Sequence, residues 1–352
     1  MLRFPTQSDL QATFDQVAGE SYDGIGGVCR LQVGAPTKKV VLAAMTHGDE
    51  PSGLGAFRFL LDNVSLLRDV DLVMVIHNIE GGARWFQAST RLEKHKCRAF
   101  GWNFNRVPLD FPEGIGGPTA LTRLRQLWRR VYPDTTHALD MHSADQPLSP
   151  DGLTLDIAGD REELERLSDV VPATARFRGI TALQMSEGSK TKPVGSLFGG
   201  PGREAVALEI ESDSHESSQG IRIAVQTAVA FLTELGCIAA EEVVEQTTNQ
   251  DVYDVLAATM VPGPGYRFVS ENLLESFAPI ARGQRLLTGP QGDILTRHSG
   301  CLIFAPAQTE LDPGDENEEV CFELSDCQRR VRTTRLPKWW VEAVGVQGEA
   351  SG

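Results

Sequence analysis

His47 and Glu50 lie three residues apart in the run Thr46-His47-Gly48-Asp49-Glu50-Pro51, where an apolar stretch gives way to helical spacing. An imidazole nitrogen and a carboxylate so placed are ligands for one divalent cation, and His142, behind a second apolar run, supplies another nitrogen. Three protein ligands with a fourth position open to water is the catalytic rather than the structural pattern for zinc. Iron, cobalt and manganese accept similar donors, so the residue types favour Zn2+ without requiring it. Each piece has a plainer explanation alone: Asp49 and Glu50 complement a helix dipole, and a single histidine at a strand end is an ordinary hydrogen-bonded residue. Together, at compatible strand ends, they point to metal-dependent hydrolysis. His77 is the main rival for a ligand place, followed by His95, His137, His215 and His298, and Asp140 or the main chain is expected to hold the second ring nitrogen of a ligand histidine.

Hydrolysis of an amide at such a metal needs a carboxylate that takes a proton from the attacking water and returns one to the leaving amine. Glu209, set among apolar neighbours in Ala207-Leu208-Glu209-Ile210, is the best candidate. Glu211 is the runner-up and shares a sheet face with Glu209 if the strand continues that far. Between Arg98 and Arg106, two arginines and two asparagines alternate with aromatic residues. A solvated loop is one explanation. The other is an anion receptor, since arginine offers a rigid fork for a carboxylate and asparagine an uncharged oriented amide.

The elements that must hold these groups follow from the hydrophobic pattern. Val40 to Met45, Asp71 to His77, Thr136 to Met141 and Val206 to Ile210 read as buried strands. After Pro51, which suits a first helical position, Leu54, Phe57, Leu60 and Leu61 take helical spacing; further helices are predicted at about 118–130, 160–168 and 219–235. Alternation of this kind predicts an α/β domain over 1–240 with a mostly parallel sheet flanked by helices, and such sheets bind ligands at the carboxyl ends of their strands. The stretch 143–205, Gly/Ser/Lys-rich towards its end, is expected as a rim or flap. A Glu/Gln/Thr-rich link at 241–249 leads to short strand-like pieces separated by Pro/Gly turns, such as Pro313-Gly314-Asp315, which predict a smaller β-rich barrel or sandwich over 250–345. Tyr266 in that domain is a candidate to reach over the cleft. The Trp339-Trp340 tail either packs back on the body or joins copies of the chain, so a homo-oligomer stays open.

At 352 residues the chain exceeds one ordinary hydrophobic core. Forty-eight acidic against 33 basic residues, a formal charge of -15, argue against nucleic acid or an anionic membrane as the main partner and leave room for a small anionic substrate at a local arginine cluster. Six scattered cysteines without knuckle spacing are expected as reduced thiols. With no apolar stretch of signal-peptide or membrane-span type, the expected address is cytoplasmic.

With these motifs assembled, the chain resembles the zinc carboxypeptidase superfamily, and within it the succinylglutamate desuccinylase/aspartoacylase family. His47-Gly48-Asp49-Glu50 resembles the family's His-x-x-Glu motif and His142 in Asp140-Met141-His142-Ser143 its third ligand. The resemblance implies that Arg98 polarises the scissile carbonyl, that Asn105 and Arg106 hold a substrate carboxylate, and that Glu209 is the general base and acid. It also implies the trailing β domain. One departure is Asn103, where aspartoacylase-like members carry an aspartate. The implied activity is removal of an acyl group from an N-acyl amino acid. A metallocarboxypeptidase of short peptides needs the same ligands, and a non-catalytic binding protein on this scaffold is the third alternative.

Overall fold

The computed structural model describes residues 3–108, 111–112, 119–144, 152–181, 191–261, 263–303 and 319–349. At its centre Lys38–Ala44 pairs in parallel with Val70–Ile76 on one side and His137–Ala144 on the other, and Val206–Ser214 pairs in parallel with His137–Ala144. Val28–Val33 closes the near edge antiparallel to Val70–Ile76. Val70 to Ile76 are all buried, as expected of an apolar strand covered on both faces. On one face lie Leu10, Phe57, Phe231 and Trp340 from the covering helices; on the other, Leu121, Leu124, Tyr132 and Phe198.

The helix Gly53–Asp62 starts directly behind the first ligand motif, two residues later than Pro51 suggested, within the usual uncertainty of helix ends. Its entry is tight: a Cβ on Gly53 would stand 2.8 Å from Met141 Cβ and 2.9 Å from Ala44 Cβ. The helix start is therefore pressed against both strands that deliver ligands.

The stretch 143–205 is not a rim or flap where it is described. Leu153–Ala158 joins the sheet antiparallel to Val206–Ser214, Ala175–Arg178 follows it in parallel, and the helix Arg161–Val170 packs on the sheet. Arginines at 176 and 178 disguise the second strand; Arg176 is buried and paired with Asp156. Residues 145–151 and 182–190 lie outside the described residues.

The polar stretch 241–249, expected as a link, is mostly strand. Val243–Met260 runs unbroken for 18 residues. Its first part pairs antiparallel with Gln328–Pro337, Asp251 to Asp254 pair in parallel with Ala175–Arg178, and its last part pairs antiparallel with Glu319–Leu324. Among the described residues one 12-stranded sheet thus runs from the parallel core into the C-terminal β region. That region has a small core of its own around Phe268, Leu286 and Leu302. Tyr266 belongs to this core, buried against Gly289, so it does not reach over a cleft. The Pro313-Gly314-Asp315 turn lies outside the described residues.

After Pro337 the chain returns to the body. Trp340 is buried, edge-on to Phe4 at 5.0 Å and to Phe59 at 5.5 Å. The six cysteines are free thiols. Among the described residues, no helix is long and apolar enough to cross a membrane.

Candidate metal centre

His47, Glu50 and His142 meet at the carboxyl ends of the parallel strands. Each offers a donor atom within 4.8 Å of the others, and all are buried. Glu50 joins them: its Oε1 lies 2.8 Å from His47 Nδ1 and its Oε2 2.7 Å from His142 Nδ1. Local structure explains the convergence. Met45 adopts a positive φ of 53°, turning the chain sharply as it leaves the strand. Gly48 then passes so close to the neighbouring loop that a Cβ would lie 2.3 Å from the Cys97 carbonyl oxygen, while its amide donates to the Arg98 carbonyl at 2.9 Å. The Ser52 and Ser212 hydroxyls, 2.9 Å apart, lie 3.3 and 3.0 Å from the His142 carbonyl oxygen and fix the third ligand to the helix entry and to the adjacent strand.

The protonation pattern tests whether these residues fit a cation. His142 faces a carboxylate at each nitrogen, Glu50 at Nδ1 and Asp140 Oδ2 at 3.3 Å from Nε2. Burial disfavours its charged form, but Asp140 and Glu50 outweigh this and hold its pKa well above the ordinary value. Burial likewise opposes the Glu50 carboxylate, yet His47, His142 and Arg98 carry its pKa well below the usual range. His47, desolvated and facing Arg98, is pushed down to about 3. His47, Glu50 and His142 would hold a divalent cation, which would take the lone pairs of neutral imidazoles and balance the charge of Glu50, with Asp140 Oδ2 placed 3.3 Å from Nε2 on the far side of the His142 ring. Two imidazoles and a carboxylate suit Zn2+.

Glu209 and Glu211 lie on one strand, opposite Asp140 and His142 in the parallel register. Glu209 also forms a cluster with Asp140 and His142 whose donor atoms lie within 4.8 Å of one another, overlapping the first at His142. Burial pushes the Glu209 carboxyl up to about 7, with His142 and Arg106 opposing and Asp140 adding to the rise. Glu211 is pushed up to about 8, by burial first and then by Glu50. Arg98 donates to Glu50 Oε1 at 2.7 Å and is partly exposed. Asn105 is buried and its Oδ1 accepts the Val194 amide at 3.0 Å, while Asn103 Oδ1 accepts the Asn105 amide at 3.0 Å, a task an aspartate performs equally well.

Among the described residues the rival histidines are absent from the ligand clusters. His137 pairs with Glu163, His215 Nδ1 lies 2.9 Å from the Ser143 hydroxyl, and the His298 amide donates to Glu323. His77 is absent from the ligand cluster, yet fully buried between Thr46 and Tyr132. Sequence reasoning missed Thr46 and Tyr132. Thr46 carried a signal, since it adjoins the first ligand; Tyr132, in a distant helical segment, carried none.

No protein-family model matches the sequence, and neither does any curated protein. Solved structures do match in fold. A succinylglutamate desuccinylase/aspartoacylase from Rhodobacter sphaeroides is similar at 17% identity and a TM-score of 0.57, covering 85% of this chain and 89% of its own. A succinylglutamate desuccinylase from Vibrio parahaemolyticus aligns over 94% of this chain and 100% of its own, with 14% identity and a TM-score of 0.60. Murine aminoacylase 3 aligns over 86% and 99%, with 16% identity and a TM-score of 0.52. The chain has the fold of these structures, an α/β sheet of zinc carboxypeptidase type with an auxiliary β region.

Proposed function

We propose that this protein is a zinc-dependent amide hydrolase that removes the acyl group from an N-acyl amino acid. The observation that carries this reading is the convergence of His47, Glu50 and His142 on one point with Glu209 beside it. The similar solved structures are named as desuccinylases, an aspartoacylase and an aminoacylase, which favours deacylation over peptide cleavage.

Bound by His47, Glu50 and His142, the metal would polarise the scissile carbonyl and acidify water. Glu209, held near neutrality by burial, takes the proton of the attacking water and delivers it to the leaving nitrogen. Arg98 stands beside Glu50 with its guanidinium partly exposed, and supplies a charged donor to the oxyanion. The Asn105 Oδ1 accepts the Val194 amide, which leaves its NH2 to donate to the substrate carboxylate next to Arg106. The products are a carboxylic acid and a free amino acid. Six free thiols suit a reducing compartment such as the cytoplasm.

A panel of N-acetyl and N-succinyl amino acids and of dipeptides, each tried with and without a chelator, tests the assignment. Chelator-sensitive release of free amino acid from an N-acyl substrate is expected. Cleavage of dipeptides alone would reassign the protein as a carboxypeptidase, and cleavage that survives metal removal would refute the mechanism.

A further inference from the structure

His77 closes a buried line of polar groups that ends on the metal-binding triad. Its Nε2 lies 2.5 Å from the Tyr132 hydroxyl and its Nδ1 2.6 Å from Thr46 Oγ1; the Thr46 hydroxyl donates to Asp140 Oδ1 at 2.8 Å, and Asp140 Oδ2 lies 3.3 Å from His142 Nε2. Hydrogen counting fixes the direction. Thr46 has one hydroxyl hydrogen and gives it to Asp140, so the contact with His77 requires a hydrogen on His77 Nδ1. A neutral ring then has an acceptor at Nε2, which the Tyr132 hydroxyl fills. At the far end Asp140 Oδ2 stands 3.3 Å from His142 Nε2, an ion-pair contact and not a closed hydrogen bond; a hydrogen held on that side would leave the His142 Nδ1 lone pair for the cation. Each donor from Tyr132 to Thr46 has one acceptor, and the last step, from Asp140 to His142, is the ion pair.

The ring is also held in its plane. Phe104 stacks on His77 at 6.1 Å and 8°, Phe198 at 6.2 Å and 17°, and all three are buried. Phe104 lies between Asn103 and Asn105, so the same imidazole touches the loop assigned to the substrate carboxylate.

We propose that His77 is a positioning residue: through Thr46 and Asp140 it sets the tautomer and orientation of His142, and through Phe104 it seats the Asn103–Arg106 loop. This rests on the metal reading above and extends it to a residue that touches neither metal nor substrate. An aliphatic residue here would leave the Thr46 hydroxyl without its donor.

The test uses the full-length protein loaded with Zn2+ or Co2+. Zinc affinity is measured by chelator competition and ligand geometry by the visible absorption of the Co2+ form. Thr46→Val, nearly isosteric, and His77→Phe, which keeps the stack, should each weaken zinc binding about 10- to 100-fold and change the Co2+ spectrum. Thr46→Ser and His77→Asn, which restore the hydroxyl and the Nδ1 donor, should recover most of the affinity. His77→Asn, which removes the ring that stacks on Phe104, should in addition raise KM for the carboxylate substrate, whereas His77→Phe should leave it near the wild-type value. Should His77→Phe not fold, Thr46→Val decides the matter. Wild-type zinc affinity and an unchanged Co2+ spectrum in Thr46→Val would overturn the proposal. A wild-type protein that binds no metal would overturn the metal reading as well, whereas metal binding without hydrolysis would remove only the activity.

Discussion

Arg332 and His142 are both buried, yet their surroundings differ. Arg332, on the returning strand Gln328–Pro337, donates to the carbonyls of Ser168, Asp169 and Val171 at the end of the helix Arg161–Val170. Gln250 beside it donates to the Ser168 and Ala173 carbonyls. That seam is polar because exposed helix-end carbonyls need donors, and a cation there complements the helix dipole. At the metal centre the acids face the wrong way for stability: Glu209 and Glu211 stand buried beside Glu50 and Asp140, and among the described residues Glu209 Oε1 and Glu211 Oε2 find no hydrogen-bond partner. Equal burial thus distinguishes nothing. Unpartnered atoms occur in both regions, Arg332 Nε among them, so what marks the site is that its unpartnered atoms belong to acids gathered with histidines around a shared point.

Four substitutions sharpen that contrast. Glu209→Gln should lower kcat by about 10²- to 10⁴-fold while zinc content, read by metal analysis, stays at the wild-type level. Arg98→Met should lower kcat by about 10²-fold or more, typical of a lost oxyanion donor, in the same steady-state assay. At the seam, Arg332→Met should leave kcat unchanged and cost about 1–3 kcal/mol in chemical denaturation, because the helix-end carbonyls lose their donor. A large loss of activity there would erase the distinction between the two regions.

The smallest effect concerns pH. The folded metal-free chain holds the Glu211 proton up to about pH 8, whereas the unfolded chain releases it near 4.5. The folded state therefore binds more protons across that window, and this group's contribution to stability falls as pH rises through it. In chelator, Glu211→Gln should flatten the decline of Tm between pH 5 and pH 8; an identical decline in wild type and variant would show that Glu211 is not the group responsible.

Much of this was legible in residue order. Runs such as Val40 to Met45 sit in the sheet centre, where burial on both faces demands uninterrupted apolar character, and the turn after Met45 places His47 and Glu50 where strand ends are known to collect ligands. The segments that were misread share a cause. Ala175–Arg178 and the first half of Val243–Met260 are polar strands whose charged or amide side chains find partners only in the folded molecule: Arg176 on Asp156, Gln250 on the Ser168 and Ala173 carbonyls. No local pattern announces such partners. Tyr266 shows the converse error, an aromatic given a task when it fills the small β core. His77 was marked for the right neighbourhood and the wrong role, because a ligand and the group that orients a ligand look alike until distances are known.

X-ray absorption at the zinc edge of the purified, zinc-loaded protein, compared with its His142→Ala variant, addresses the ligand set itself. The account predicts two imidazoles and oxygen donors at about 2.0–2.2 Å in the wild type, with one imidazole lost in the variant. Sulfur scattering in the wild type, or an identical imidazole signal in both proteins, would contradict it.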